Sequence, residues 1–260
     1  AHAVASDSQA PAAPTLEIRN VSFRYPNAEQ AVLHDVSLRL EGKQKLALVG
    51  RNGSGKSTLI KLLLGLYQPT EGEIWIHGES TANWSADDFV DFFSVVFQDF
   101  QLLALRIGDN VATSDVWDED AVRADLTKTG LGDFVRRHGT ESYLYRDFET
   151  AGIEVSGGEA QKIAMARAIH HGGRFFVLDE PTAALDPISE YEIYTHFSTI
   201  TSDHPTIYIS HRLSSCKFCD VVAVMEEGRI AEFGTHDALL ARGGLYASLW
   251  NAQAQHYDLG

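Results

Sequence analysis

Gly50-Arg51-Asn52-Gly53-Ser54-Gly55-Lys56-Ser57 is the stretch from which the rest of this chain can be read. It fits the pattern G-x-x-x-x-G-K-[ST], and it has the flanks such a loop requires. Leu46-Ala47-Leu48-Val49, just before it, has the length of a short buried strand. The segment after it carries Leu59, Leu62 and Leu63 on one helical face and closes near Gly65. In a strand–loop–helix unit of this kind the backbone N–H groups close around phosphate oxygens, and glycine is needed where a Cβ would intrude. The helix N-terminus adds partial positive charge. Lys56 supplies a full cation for β- and γ-phosphates, and the Ser57 hydroxyl is placed to bind Mg²⁺. Gly50, Asn52, Gly53, Ser54, Gly55, Lys56, Ser57 and Thr58 are therefore the candidate nucleotide-binding residues.

A second feature strengthens the first. Phe175-Phe176-Val177-Leu178 is four apolar residues, followed by Asp179-Glu180. A buried strand that delivers a carboxylate at its C-terminal end can hold Mg²⁺, here through Asp179. Glu180, next in line, is placed to polarise an attacking water. Alone, an apolar run ending in two acids says little; beside the loop it points to nucleotide hydrolysis.

Around this pair the chain divides simply. Residues 1–15 are small, polar and proline-containing and read as a linker or tail. With Ala1 in place of Met, they lead us to expect a domain excised from a longer chain. Residues 16–260 read as one domain. Leu16, Ile18 and Val21-Ser22-Phe23 are strand-like, as are Val36, Leu38 and Leu40, and the strand Glu73–His77 ends in a Gly78 turn. Residues of about 86–171 are mainly helical in pattern, with acidic starts such as Asp118-Glu119-Asp120, and are expected to form an inserted subdomain. Strand and helix then alternate at 175–179, 188–200 and 206–210. A hairpin at 221–233 and short helices at 236–242 and 244–255 close the chain. Strands alternating with helices imply a largely parallel sheet.

Bulk properties narrow the function. A formal net charge of −15 argues against a nucleic-acid binder, which needs a basic face to displace counterions. No stretch reaches the ~18 consecutive apolar residues of a spanning helix, and no basic flank with an apolar core marks a secretory signal. Cys216 and Cys219 form a C-x-x-C with neither a second ligand pair nor thioredoxin-like surroundings. They read as two reduced thiols of an intracellular chain.

With these features in order, the chain from about Leu16 to Gln255 resembles the nucleotide-binding domain of ABC (ATP-binding cassette) transporters. Val155-Ser156-Gly157-Gly158-Glu159 is similar to the family signature, usually Leu-Ser-Gly-Gly-Gln. Gln98, in Val96-Phe97-Gln98-Asp99, resembles the glutamine that senses Mg²⁺ and the γ-phosphate. His211, in Ile209-Ser210-His211-Arg212, resembles the switch histidine. Asp186, in Ala184-Leu185-Asp186, resembles the loop that crosses the dimer interface. Tyr25, in Phe23-Arg24-Tyr25-Pro26, is similar to the aromatic that stacks on adenine.

The resemblance implies an α/β fold, with a P-loop NTPase (RecA-like) core, an antiparallel β subdomain and the inserted α-helical subdomain. It implies ATP and Mg²⁺ as cofactors, with Ser57, Gln98 and Asp179 toward the metal and Lys56, Glu180 and His211 as catalytic residues. Its implied partner is a second nucleotide-binding domain in a head-to-tail dimer. Each ATP then lies between one chain's phosphate loop and the other's Ser156-Gly157-Gly158. A transmembrane domain, fused upstream or on a separate subunit, places the whole at the cytoplasmic face of the cell membrane. Phe233-Gly234-Thr235-His236-Asp237-Ala238-Leu239-Leu240 followed by Gly244-Leu245-Tyr246 is most like exporters whose membrane and ATPase parts share one chain.

Glu159 departs from the family glutamine and brings negative charge near a phosphate. Ser156-Gly157-Gly158-Glu159 is also an S-x-x-E capping box ahead of good helix formers. We therefore expect the Glu159 carboxylate to fold back on the Ser156 N–H. The run Glu149–Glu154 is only loosely like the corresponding exporter loop. Tyr25 as a core aromatic, Gln98 as a surface amide and His211 as a structural histidine stay open. A soluble ABC ATPase acting on DNA or ribosomes is the competing function. The lack of sustained heptads between Ser57 and Ser156 disfavours it. Glu180 and His211 disfavour a regulatory module without turnover.

Overall fold

The computed structural model describes residues 16–179, 195, 197–210 and 213–257; Glu180, Asp186 and His211 lie outside them. Among the described residues ten strands form two sheets. β1 (Leu16–Phe23), β2 (Leu33–Leu40), β4 (Glu71–Ile76) and β5 (Glu79–Ser80) make an antiparallel sheet in the order β2-β1-β4-β5. β3 (Lys45–Gly50), β6 (Phe93–Val96), β7 (Phe175–Asp179), β8 (Thr206–Ile209), β9 (Val221–Glu226) and β10 (Arg229–Gly234) make the other, in the order β10-β9-β3-β8-β7-β6. All of its pairings are parallel except that of the edge strand β10.

The apolar runs follow from burial on both faces of the larger sheet, and alternate residues feed different cores. Leu46, Leu48, Phe175, Val177, Ile207 and Ile209 pack on one side with Leu59, Ile60, Leu62 and Leu63 of α1 (Lys56–Leu63) and with the inner face of the smaller sheet. Ala47, Val49, Phe176, Leu178, Tyr208, Val222 and Val224 pack on the other.

The stretch read as mainly helical also holds β6, which pairs with β7 from Phe93↔Phe175 to Val96↔Leu178 and so belongs to the core sheet. Phe92, Phe93 and Val96 are all buried, so the apolar run looks alike as a helix end or a strand. Ser85 and Asp88 cap α2 (Ala86–Phe92) ahead of it. Beyond it come α3 (Ile107–Ala112), α4 (Glu119–Lys128), α5 (Gly132–His138) and α6 (Gly157–His171).

α6 joins two cores. Ile163 and Ala166 pack with Ile107, Val111, Val122, Leu126 and Phe134 of the helical block, while Ala164, Met165 and Ala168 pack with Phe176, Leu178 and Tyr208 of the sheet. After β10 come α7 (His236–Arg242) and α8 (Leu245–Tyr257). The Glu232 carboxylate accepts from Leu245 N and Tyr246 N at 2.9 Å each and so fastens the first turn of α8. No helix among the described residues is long and apolar enough to cross a membrane.

Ile209 is fully buried and lies in register between Leu48 and Asp179. We expect Ile209→Ala to cost about 2–5 kcal/mol, read as a lower urea midpoint with an unchanged slope.

Candidate functional site

In a parallel sheet every strand ends on the same edge, and ligands bind outside the carboxyl ends. Here Leu48, Ile209 and Asp179 share one register row, and Leu178 pairs with Val96. β3 therefore delivers Gly50 and its loop, β7 delivers Asp179, β6 leads to Gln98, and β8 leads to Ser210, all along one edge. Glu180 and His211 follow Asp179 and Ser210 in the chain. Gln98 is exposed, and Asp179 is half-buried.

The loop is shaped by close backbone approaches. Gly50 has φ +150°, and a Cβ there would lie 2.3 Å from the Met225 carbonyl oxygen. Gly55 has φ +105° and backs onto the Leu33 side chain, where a Cβ would sit 2.7 Å from Cδ2. The turn of the β9–β10 hairpin braces the loop from below: Gly228 N donates to Ser54 O at 3.0 Å. Met225, Gly228 and Leu33 are thus part of the site, and motif reading missed all three. Glu227-Gly228 is legible as a hairpin turn, but nothing local reveals that the turn supports Ser54.

Two features of the loop fit a phosphate. The Ser54 hydroxyl is buried without a hydrogen-bond partner, a cost that an anion would relieve. Gly55, the N-cap of α1, offers no side-chain cap, and no acid stands in the first turn. By contrast Ser85, Asp118 and Ser156 cap α2, α4 and α6. Lys56 is buried, and its Nζ donates to the carbonyls of Gly50 at 2.9 Å and Arg51 at 3.1 Å. Asn52, Gly53 and Ser57 are exposed, and Gly53 has φ +78°. Thr58 is buried, and its Oγ1 lies 3.1 Å from Tyr25 Oη. Tyr25 stands edge-on to Phe23 and Tyr67, at 4.9 and 5.3 Å between ring centres, so it is half core aromatic and half neighbour of the loop. The hydroxyl, amide and carboxylate oxygens of Ser57, Gln98 and Asp179 are the hard donors that Mg²⁺ takes.

The Ser156 segment stands apart from this edge. Val155 packs into the helical block, and Ser156 and Gly157 are exposed. The capping box forms as the sequence suggests. Ser156 Oγ accepts from Glu159 N at 3.2 Å, while Glu159 Oε2 accepts from Ser156 N and Oγ at 2.8 Å each. The added carboxylate is thereby held by its own helix end.

A family model described as ABC transporter matches residues 33–183. The chain belongs to the ABC transporter family. It is the family's ATP-binding domain, an ATPase. Among relatives, the nisin transport ATP-binding protein NisT of Lactococcus lactis subsp. lactis is 36% identical over 92% of this chain and 40% of that protein. The ATP-dependent lipid A-core flippase of Pseudomonas fluorescens (strain Pf0-1) is 37% identical over 90% and 39%. A solved bacterial Atm1-family ABC exporter with ATP bound superposes with a TM-score of 0.85 at 33% identity, over 95% of this cassette and 43% of that chain. The cassette therefore spans about two fifths of the length of these relatives.

The cysteine pair takes no part in the site. Cys216 and Cys219 are free thiols. Burial pushes Cys216 up to about 12 and Cys219 well above its ordinary value. Among the described residues no group of three His, Cys, Asp or Glu side chains converges to hold a metal.

We expect the folded cassette to resist alkylation at mildly alkaline pH, since neither thiol ionises there; mass spectrometry of the native protein reads it directly. Ser54→Ala should separate folding from binding. Losing the orphaned hydroxyl leaves the nucleotide-free chain as stable or about 1 kcal/mol more so. ATP binding should weaken about fivefold, the loss of one hydrogen bond. Thermal unfolding with and without ATP measures both.

Proposed function

We propose that this cassette powers an ABC exporter, working at the cytoplasmic face of the cell membrane as a head-to-tail dimer with two sandwiched ATP molecules. The observation that carries the reading is the separation of the two halves of the site. The phosphate loop lies at the edge of the sheet, whereas Ser156 and Gly157 stand exposed on the helical block. In the dimer a second copy brings a signature to each nucleotide.

In this reading Tyr25 packs against adenine. Gly50, Asn52, Gly53, Ser54, Gly55 and Thr58 shape the phosphate cradle with the N-terminus of α1. Lys56 leaves its carbonyl acceptors for the β- and γ-phosphates. Ser57, Gln98 and Asp179 would hold Mg²⁺, which supplies charge neutralisation on the phosphates when bound. Glu180 orients or deprotonates the attacking water, His211 steadies the γ-phosphate, and Asp186 lies in the loop that meets the partner.

The membrane partner has a natural seat. An apolar groove of about 620 Å³ runs between α2 and the helical block, lined by Leu66, Phe89, Val90, Phe97 and Val111 among others. Leu66 and Val90 are each 59% exposed there, a cost in water that a docked segment would remove. Phe97 joins this groove to Gln98. The relatives' names differ in cargo, nisin in one and lipid A-core in another, while the cassette is shared. Cargo choice accordingly belongs to the transmembrane part.

Glu180→Gln should cut turnover roughly a hundredfold or more while sparing ATP binding, and Lys56→Ala should weaken binding itself about tenfold. The mass of Glu180→Gln in solution tests the dimer: it should double on adding Mg-ATP. A monomer with ATP demonstrably bound would sink the self-sufficient sandwich and leave dimerisation to the membrane part or to another cassette.

A further inference from the structure

One half-buried guanidinium ties its own helix to two neighbouring segments without belonging to the nucleotide chemistry. Arg167 lies on α6. Its Nε donates to Asn110 O at 2.7 Å, and its Nη1 and Nη2 donate to Gln101 O at 3.2 and 3.3 Å. Nη2 also reaches Asn110 Oδ1 at 3.3 Å. Asn110 is 2% exposed, and its amide is committed to the same region. Oδ1 accepts from Leu103 N at 2.8 Å, and Nδ2 donates to Leu103 O at 2.9 Å and Arg106 O at 3.1 Å.

Among the described residues no carboxylate pairs with Arg167. Its partial burial lowers its pKa from the ordinary value, and its fork is met by carbonyl oxygens. Partial desolvation of a cation with only neutral partners is costly, and for packing alone an apolar side chain of similar volume would serve. What distinguishes the arginine is the fork that spans its acceptors. Gln101 and Leu103 belong to the connector that leaves β6 through Gln98; Asn110 belongs to α3; Arg167 belongs to the helix whose first residues follow Ser156.

We propose that Arg167 is a positioning residue that locks the Gln98 connector to the signature helix α6. Engagement of Mg-ATP by Gln98 in one chain then sets the position of the signature which that chain presents to its partner. The proposal rests on the roles given above to Gln98 and Ser156. It adds the physical link between them: α6 is a continuous helix of about 22 Å, so a displacement of the connector at Arg167 is carried to its N-terminus.

The test is Arg167→Lys in the complete transporter, since lysine keeps the charge and loses the fork. ATP turnover should fall about tenfold, within the usual range of coupling between sites, with Mg-ATP affinity and thermal midpoint little changed. Amide exchange at Leu103 should quicken while the buried amides of α6 keep their protection. Combined with Gln98→Ala, the substitution should add nothing further, because the two residues act through one path. Wild-type turnover in folded Arg167→Lys overturns the proposal. So does additive loss in the double variant, or faster exchange throughout α6, which is what a purely structural role would give. If Arg167→Lys does not accumulate folded, Arg167→Gln is read in the same way. A Gln98→Ala transporter with wild-type turnover overturns the Gln98 assignment instead, and exchange at Leu103 in Arg167→Lys then decides the link alone.

Discussion

The main chain of Gly50 lies so close to the Met225 carbonyl that no side chain fits between them, and much of the site follows from that contact. It requires β9 beside β3, which the parallel register supplies through Gly50↔Met225. It brings the Gly228 turn under Ser54, and it sets the angle at which the loop turns into α1. Lys56 can then bend back onto the carbonyls of Gly50 and Arg51. A loop free to open would lose both the cradle and the lysine's anchorage. The antiparallel hairpin at the edge of the sheet is thus as much a part of nucleotide binding as the glycines.

The second organising element is α6, a helix with two dry faces. One face packs on the central sheet and the other on the helical block, so the helix links the two. Its N-terminus, by contrast, is exposed and satisfied by its own Ser156 and Glu159. The helix is packed along its body and available at its tip, which suits a part that must meet a partner as one rigid piece.

How much of this was legible in the sequence depended on distance along the chain. The loop was readable because strand, glycines, lysine and helix are contiguous, and the Glu159 fold-back because a capping box spans four residues. The acid-tipped β7 was readable from its apolar run once the loop was in hand. β6 was not, because the run around Phe92 and Phe93 suits a buried strand and a helix end equally. Met225, Gly228 and Leu33 were invisible, since their contacts with the loop join segments far apart in sequence. Arg167 carries no local signal in the sequence, and only its distant carbonyl acceptors give it meaning. Glu180, Asp186 and His211, legible as motifs, lie outside the described residues.

The C-terminal helix α8 has a consequence of its own. Glu232 fastens its first turn, and near its other end the Gln253 side chain accepts the Leu213 N–H at 2.8 Å. Gln253 and Leu249 also line a cleft with Gly50, Asn52 and Ser210. A helix secured at both ends works as a tie rod between the edge strand β10 and the segment that leaves β8. The final turns of the cassette are therefore structural members of the nucleotide site's frame. Trimming them would slacken the end of β8, although every residue removed lies far along the chain from any motif.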